Sequence, residues 1–148
     1  MRAPFLLGRL LFGGYFLYNG IHHFRQRREL AGYAASKKVP APDTAVEITG
    51  ALLVAGGASI LLGVKPKLGT LAIMGFLGTV SPIMHDFWTH ADPEERTHEM
   101  INFTKNMALL GGALALMGVE EPWPASVPIA QPNPAKGAIK SLENKAAA

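Results

Sequence analysis

The fold class follows from the stretch His98-Glu-Met-Ile-Asn-Phe-Thr-Lys-Asn-Met-Ala-Leu-Leu-Gly-Gly-Ala-Leu-Ala-Leu-Met-Gly118. Its second half is apolar and uncharged, whereas its first half holds Asn102, Lys105 and Asn106 within an otherwise apolar run. As a helix it would be roughly 30 Å long, which is enough to cross a bilayer. A lysine near the centre of such a helix costs roughly 2.5–3.5 kcal/mol on insertion scales. Lys105 should therefore find a partner on another segment.

Three more apolar runs precede this stretch, and charged or Pro-containing connections separate them. The pattern predicts an all-α integral membrane protein, a bundle of four transmembrane helices at about 4–24, 43–63, 68–86 and 98–118. A signal peptide is the alternative for the first run, but Arg9, the lack of a small-x-small cleavage site and the later spans argue against it. A short amphipathic helix is expected between residues 25 and 42.

The predicted domains are a transmembrane domain, 1–118, and a Pro-rich extended C-terminal tail, 119–148. Because the tail has five prolines and few apolar residues, we expect it to be dispensable for insertion and to contribute to partner binding. The chain has no cysteine, which excludes disulfides, CxxC redox chemistry and cysteine-held metal clusters. It also lacks a dense basic block with interleaved aromatics, so nucleic acid is not an expected partner.

Four spans place both termini on one side, here called side A, and the 25–42 and 90–99 connections on the other, side B. The unusual polar residues then fall in the side-B half of the bilayer. Glu47 and Lys105 have opposite charge and similar depth, so they are predicted to form an ion pair. The candidate intramembrane network or ligand pocket comprises Asn19, His22, Glu47, His85, Asp86, Trp88, Asn102, Lys105 and Asn106.

Three interpretations of this polar layer stay open. In the first, the network holds the helices in register. In the second, it lines a pocket for a small amphipathic ligand or a proton. In the third, Lys105 has no specific partner and extends its side chain to the membrane interface. No metal site is predicted, because the adjacent His22 and His23 point apart. The Glu95-x-x-His98 spacing of di-iron bundles occurs once, without its partner copy. No catalytic residue can be assigned.

The order and spacing of several short motifs resemble those of DoxX-type membrane proteins. The resemblance covers residues 5–118 and is carried by Gly8-Arg-Leu-Leu-Phe-Gly13 to Gly20-Ile-His22, Val39-Pro40, Glu47 with Gly50, Gly63, His85-Asp86-Phe87-Trp88 and Asn102-Phe-Thr-Lys105-Asn106 to Gly112. It implies a four-helix, multi-pass protein of a bacterial or archaeal inner (plasma) membrane. It also implies a link to redox metabolism, since relatives include the membrane subunit of a thiosulfate:quinone oxidoreductase.

Two functional hypotheses follow. The first is a non-catalytic membrane subunit or scaffold of a redox or respiratory assembly, with the bilayer and a redox enzyme as partners. The second is a quinone-reactive oxidoreductase subunit, in which His85, Asn106 or Lys105 would bind the quinone carbonyl and Trp88 or Phe103 the ring. Its electrons would come from another protein, and no cofactor other than a quinone is implied. A small-solute transporter is a weaker third option. Positive charges in the short loops favour a cytoplasmic side B.

Overall fold

The computed structural model describes residues 2–128, and nearly all of this part of the chain is helical. The helices are α1 (Arg2–Arg25), α2 (Arg27–Ser36), α3 (Pro42–Leu62), α4 (Pro66–Met84) and α5 (Pro93–Met117), with a single 3₁₀ turn at Phe87–Thr89. Residues 2–128 contain no β-strand. The predicted all-α class is confirmed, and α2 is the short helix expected between the first two spans.

The four long helices begin and end close to their predicted bounds, except that α5 starts five residues early. Its N-cap is Asp92, whose carboxylate accepts hydrogen bonds from the backbone N–H groups of Glu94 and Glu95. Pro93 occupies the first helical position, where its missing N–H costs nothing. The segment that sequence analysis assigned to a loop is therefore the first turns of α5.

The long helices pack as an antiparallel bundle in which α3 contacts α1, α2 and α4, whereas α5 packs mainly on α4 and the 3₁₀ turn. The core consists of Phe16, Leu53, Ile60, Ile73, Leu77 and Trp123. Glycines bring α1 and α3 together: a Cβ atom on Gly57 would lie 2.5 Å from the backbone nitrogen of Leu17. Small residues at such a crossing are typical of helices packed in bilayers.

Two segments are long and apolar enough to cross a membrane, by length and composition: Pro42–Leu62, which is α3, and Pro66–Thr89, which is α4 with the 3₁₀ turn. The other two long helices carry charges within their apolar stretches, Arg9 in α1 and Lys105 in α5. The arrangement of all four as transmembrane helices stays a prediction.

The first ten residues after Gly118 fold back over the side-A end of the bundle. Trp123 is only 2% exposed and its ring meets that of Phe5 edge-on, with 5.5 Å between the centroids. The N–H of Val127 donates a 2.8 Å hydrogen bond to the carbonyl of Leu62. The role predicted for the tail in partner binding stays a prediction, and residues 129–148 lie outside the described part.

Arg9 fastens this segment to α1. The guanidinium is buried and donates to the carbonyls of Pro124, at 2.7 Å, Ala125, at 3.1 Å, and Leu61, at 3.2 Å. The positive charge of Arg9, which argued against a signal peptide, is thus stabilised by three backbone carbonyl groups. Truncation before Val119 would remove Trp123 and two of these acceptors, so we expect the truncated bundle to be less stable. That the tail is dispensable for insertion stays a prediction.

Candidate functional site

A group of titratable side chains gathers at the side-B end of the bundle, where α2, the end of α4 and the beginning of α5 meet. We call it the side-B cluster; its members are Tyr33, Lys37, His85, Asp86, His90 and Glu99. Tyr33 lies on α2, and Lys37, the C-cap residue of that helix, follows four positions later on the same side. His85 and Asp86 follow the last turn of α4, and Glu99 lies in the second turn of α5.

Glu99 is the centre of one half of the cluster and is only 8% exposed. Its Oε2 atom lies 2.7 Å from Nδ1 of His85, and its Oε1 atom accepts a 3.3 Å hydrogen bond from the hydroxyl of Tyr33. The same hydroxyl lies 3.1 Å from the carbonyl oxygen of Met84. Both carboxylate oxygens are thus engaged, which is how a buried carboxylate is usually stabilised.

Lys37 and Asp86 form the other half. Their ammonium and carboxylate groups are in direct contact, and both side chains are largely shielded from solvent. Nε2 of His90 lies 3.3 Å from Nζ of Lys37 and 3.6 Å from Oδ1 of Asp86. Oδ2 of Asp86 accepts a 2.8 Å hydrogen bond from Thr89. This pair ties α2 to the connection that follows α4.

Burial, and then the negative charge of Glu99, raise the pKa of Tyr33 to about 12. Both causes act in the same direction, because each disfavours a phenolate anion at this position. The hydroxyl is therefore a hydrogen-bond donor at neutral pH, which fits its contact with the Glu99 carboxylate.

Three cavities meet at the cluster. An outer cleft of about 710 Å³ has as its lining Tyr33, Ser36, Lys37, Asp86, Thr89, His90, Glu94, Glu95, His98 and Glu99. An inner cavity of about 250 Å³ lies between the long helices, and its walls are mostly apolar with Tyr15, Asn19, His23, Tyr33, His85 and Asn106 as polar groups. An apolar cavity of about 200 Å³ beneath α2 shares Tyr33, Phe76 and Met84 with it.

The His85–Glu99 pair lies between the outer cleft and the inner cavity. Glu99 lines the outer cleft, and His85 lines the inner cavity. Because Nδ1 of His85 faces the carboxylate, Nε2 is left for another partner, and a neutral ring would then carry its proton on Nδ1. Such an arrangement can hold a proton and pass it between a polar cleft and a mostly apolar cavity.

Several predicted site residues meet around these cavities. His85 and Asp86 belong to the side-B cluster, and Asn19 and Asn106 line the inner cavity with His85. Asn102 and Lys105 line a neighbouring cleft between α1 and α5, which shares Tyr15, His85, Asn106 and Leu109 with the inner cavity.

Two further predicted residues lie apart from the cavities. Trp88 packs edge-on against Phe87 and Phe103, with ring centroids 5.1 and 5.8 Å away. His22 stacks on Tyr18 at 6.1 Å.

The predicted ion pair between Glu47 and Lys105 is wrong. The carboxylate of Glu47 lies 2.5 Å from Arg27, which also contacts Asp43 at 3.3 Å. The physical reason is the order of the helices: Glu47 is on α3 beside α1 and α2, whereas Lys105 is on α5, which packs mainly on α4. Among residues 2–128, Lys105 takes part in no ion pair.

Sequence reasoning missed four members of the cluster: Tyr33, Lys37, His90 and Glu99. A signal existed for Glu99, because positions 99, 102 and 106 share one face of a helix. Another was the i, i+4 spacing of Tyr33 and Lys37 on α2. Within residues 2–128, no three His, Cys, Asp or Glu side chains converge in a way that could hold a metal ion.

Nearly all of residues 2–128 is helical, and two segments are long and apolar enough to cross a membrane. The chain belongs to the DoxX family, whose model matches residues 5–86, more than half of the sequence. The match includes His85 and Asp86 but ends before α5, so it does not cover Glu99 or Lys105. Searches of curated proteins and of solved structures returned no match.

Proposed function

We propose that this protein is a four-span membrane subunit of a redox assembly and that its inner cavity binds the head group of a quinone. The observation that carries the proposal is the 2.7 Å contact between His85, on the wall of the inner cavity, and Glu99, on the wall of the outer cleft. The assembly would reside in the plasma (inner) membrane.

The lengths and surfaces of the helices support four spans. Helices of 19 to 25 residues are roughly 28–38 Å long, against a hydrocarbon thickness of roughly 30 Å. Large apolar side chains are exposed on α1, α4 and α5, among them Leu11, Leu68 and Leu114. A surface of this kind is unfavourable in water and favourable against lipid. The charged groups of the side-B cluster lie at the helix ends, where an interface would be.

The inner cavity suits a quinone ring because its walls are mostly apolar and its few polar groups are hydrogen-bonding side chains. With its ring protonated on both nitrogens and paired with Glu99, His85 would donate a hydrogen bond from Nε2 to one quinone carbonyl, and the amide N–H of Asn106 would donate to the other. Conversion of a quinone to a quinol takes up two electrons and two protons. The electrons would come from a redox partner, and a proton given up by His85 would be replaced through Glu99 and Tyr33 from the outer cleft.

Binding of a short-chain ubiquinone to the purified protein tests the proposal. We expect saturable binding that His85→Leu and Asn106→Leu weaken about tenfold each, the size of a lost hydrogen bond of about 1.4 kcal/mol. His98→Gln is the matched control, because His98 is exposed and does not line the inner cavity. Equal binding by His85→Leu and the native protein would contradict the proposal.

A non-catalytic scaffold is the second candidate, and the closed hydrogen bonding of the side-B cluster favours it. Tyr33 and His85 engage both carboxylate oxygens of Glu99, and Lys37 pairs with Asp86, so in this hypothesis the cluster holds α2, α4 and α5 in register. The scaffold hypothesis predicts that Glu99→Gln lowers the stability of the protein and that no variant binds ubiquinone. It also predicts that a redox enzyme still copurifies with the native protein.

A further inference from the structure

The cleft between α1 and α5, here called the lateral cleft, has a volume of about 530 Å³ and contains Lys105. The other lining residues are Tyr15, His85, Asn102, Asn106, Ala108 and Leu109. No carboxylate is among them, in contrast to the four carboxylates of the outer cleft. The lateral cleft is therefore a donor-rich site with one full positive charge.

The polarity of the lateral cleft changes along α5. This helix runs from side B to side A, so Asn102 lies nearest side B, Lys105 and Asn106 follow, and Ala108 and Leu109 lie deepest. Side chains on a helix lean toward its N-terminus, so the Lys105 stem points toward side B. A ligand in this cleft would have its anionic end toward side B and its apolar part toward the bilayer centre, which is the orientation of a lipid in the side-B leaflet.

We propose that the lateral cleft binds one anionic phospholipid of the side-B leaflet, whose phosphate contacts Lys105 and the amide of Asn102. The proposal rests on the membrane placement of α5 that is part of the proposed function. An ammonium ion in this position is costly without a counter-charge, and a phosphate is a strong hydrogen-bond acceptor that can meet the ammonium and the amide of Asn102.

Lys105 and Asn102 line the lateral cleft and not the inner cavity, whereas His85 and Asn106 line both. Substitutions of Lys105 and Asn102 therefore test lipid binding without removing a group from the cavity proposed for the quinone. Lys105→Met keeps the length of the side chain and removes the charge, and Lys105→Arg keeps the charge. Arg28→Met is the matched control, because Arg28 is an exposed cation at the same end of the bundle outside the cleft.

The experiment is native mass spectrometry of the protein with phosphatidylglycerol or phosphatidylcholine added in parallel. We expect the native chain, Lys105→Arg and Arg28→Met to retain one phosphatidylglycerol in preference to phosphatidylcholine. Lys105→Met should bind phosphatidylglycerol about tenfold more weakly, as for the loss of one charge-assisted hydrogen bond. Either an unchanged preference in Lys105→Met or equal binding of both lipids by the native chain would overturn the proposal.

A further variant separates the lipid site from the membrane placement. Since the chain has no cysteine, Leu109→Cys introduces a single thiol at the deep end of the cleft. Protection of this thiol from a water-soluble maleimide in vesicles is expected if α5 spans the bilayer, and ready labelling would overturn both proposals. Protection together with a lipid preference that depends on Lys105 would support the lipid site even if no ubiquinone binds.

Discussion

Replacement of Trp123 by alanine should destabilise the bundle more than any other single truncation in the C-terminal segment. Trp123 is 2% exposed, belongs to the main core and packs edge-on against Phe5 at 5.5 Å. Truncation of a buried tryptophan to alanine typically costs about 3–5 kcal/mol. In a micelle the unfolded side chain keeps an apolar environment, which reduces the transfer part of this cost and leaves the lost packing contacts. We therefore expect about 3 kcal/mol, the lower end of the range.

The matched control is the other tryptophan. Trp88 is 54% exposed and contacts Phe87 and Phe103 at the side-B end. Aromatic pairs of this kind contribute about 0.5–1.5 kcal/mol, so Trp88→Ala should cost about 1 kcal/mol. Unfolding of both variants in mixed micelles, followed by circular dichroism, gives the comparison. If Trp123→Ala is no less stable than Trp88→Ala, the packing of residues 119–128 on the bundle does not contribute to stability as argued.

The remaining predictions concern the two polar ends of the bundle. Arg9→Met should cost about 2–4 kcal/mol in the same unfolding assay, because three carbonyls lose a charged donor in a buried place; an effect under about 0.5 kcal/mol would contradict this. In a double-mutant cycle, Lys37→Met and Asp86→Asn should show a coupling of about 1–3 kcal/mol, since the two side chains are only 14% and 25% exposed; additive effects would refute the pair. Absorbance titration should find Tyr33 ionising near pH 12, and Glu99→Gln should lower that pKa. Because the folded pKa lies above the ordinary value of 10.0, stability should fall as the pH rises from 10 through 12, and Tyr33→Phe should abolish this part of the loss.

Properties that depend on a single segment were predictable from the sequence. The four apolar runs and the expected short helix after the first run all correspond to helices, and α3 and α4 begin one and two residues before the predicted starts at 43 and 68. The start of α5 was placed too late because the charged residues after Asp92 were interpreted as a solvated loop. In the structure Asp92 caps the helix, and the charges of Glu94 and Glu95 favour its N-terminus.

Partners on different helices were less predictable, because they depend on the order of the helices around the bundle and on the rotation of each about its axis. Similar depth led to the predicted pairing of Glu47 with Lys105. In the structure Arg27, the first residue of α2, reaches Glu47 directly. In the same way, nothing local to Arg9 indicates that carbonyls more than a hundred residues later will accept its hydrogen bonds.

The two ends of the bundle are closed by different kinds of contact. This difference indicates at which end the candidate site lies. At side A, residues 119–128 insert Trp123 into the core and supply two backbone carbonyls to the guanidinium of Arg9, so these contacts come from apolar side chains and the backbone. At side B, α2 lies over the helix ends and contributes Tyr33 and Lys37 to a cluster of titratable groups beside three cavities. Within residues 2–128, a cluster of titratable side chains beside cavities occurs at side B. For this reason we propose that ligand binding belongs to side B and structural closure to side A.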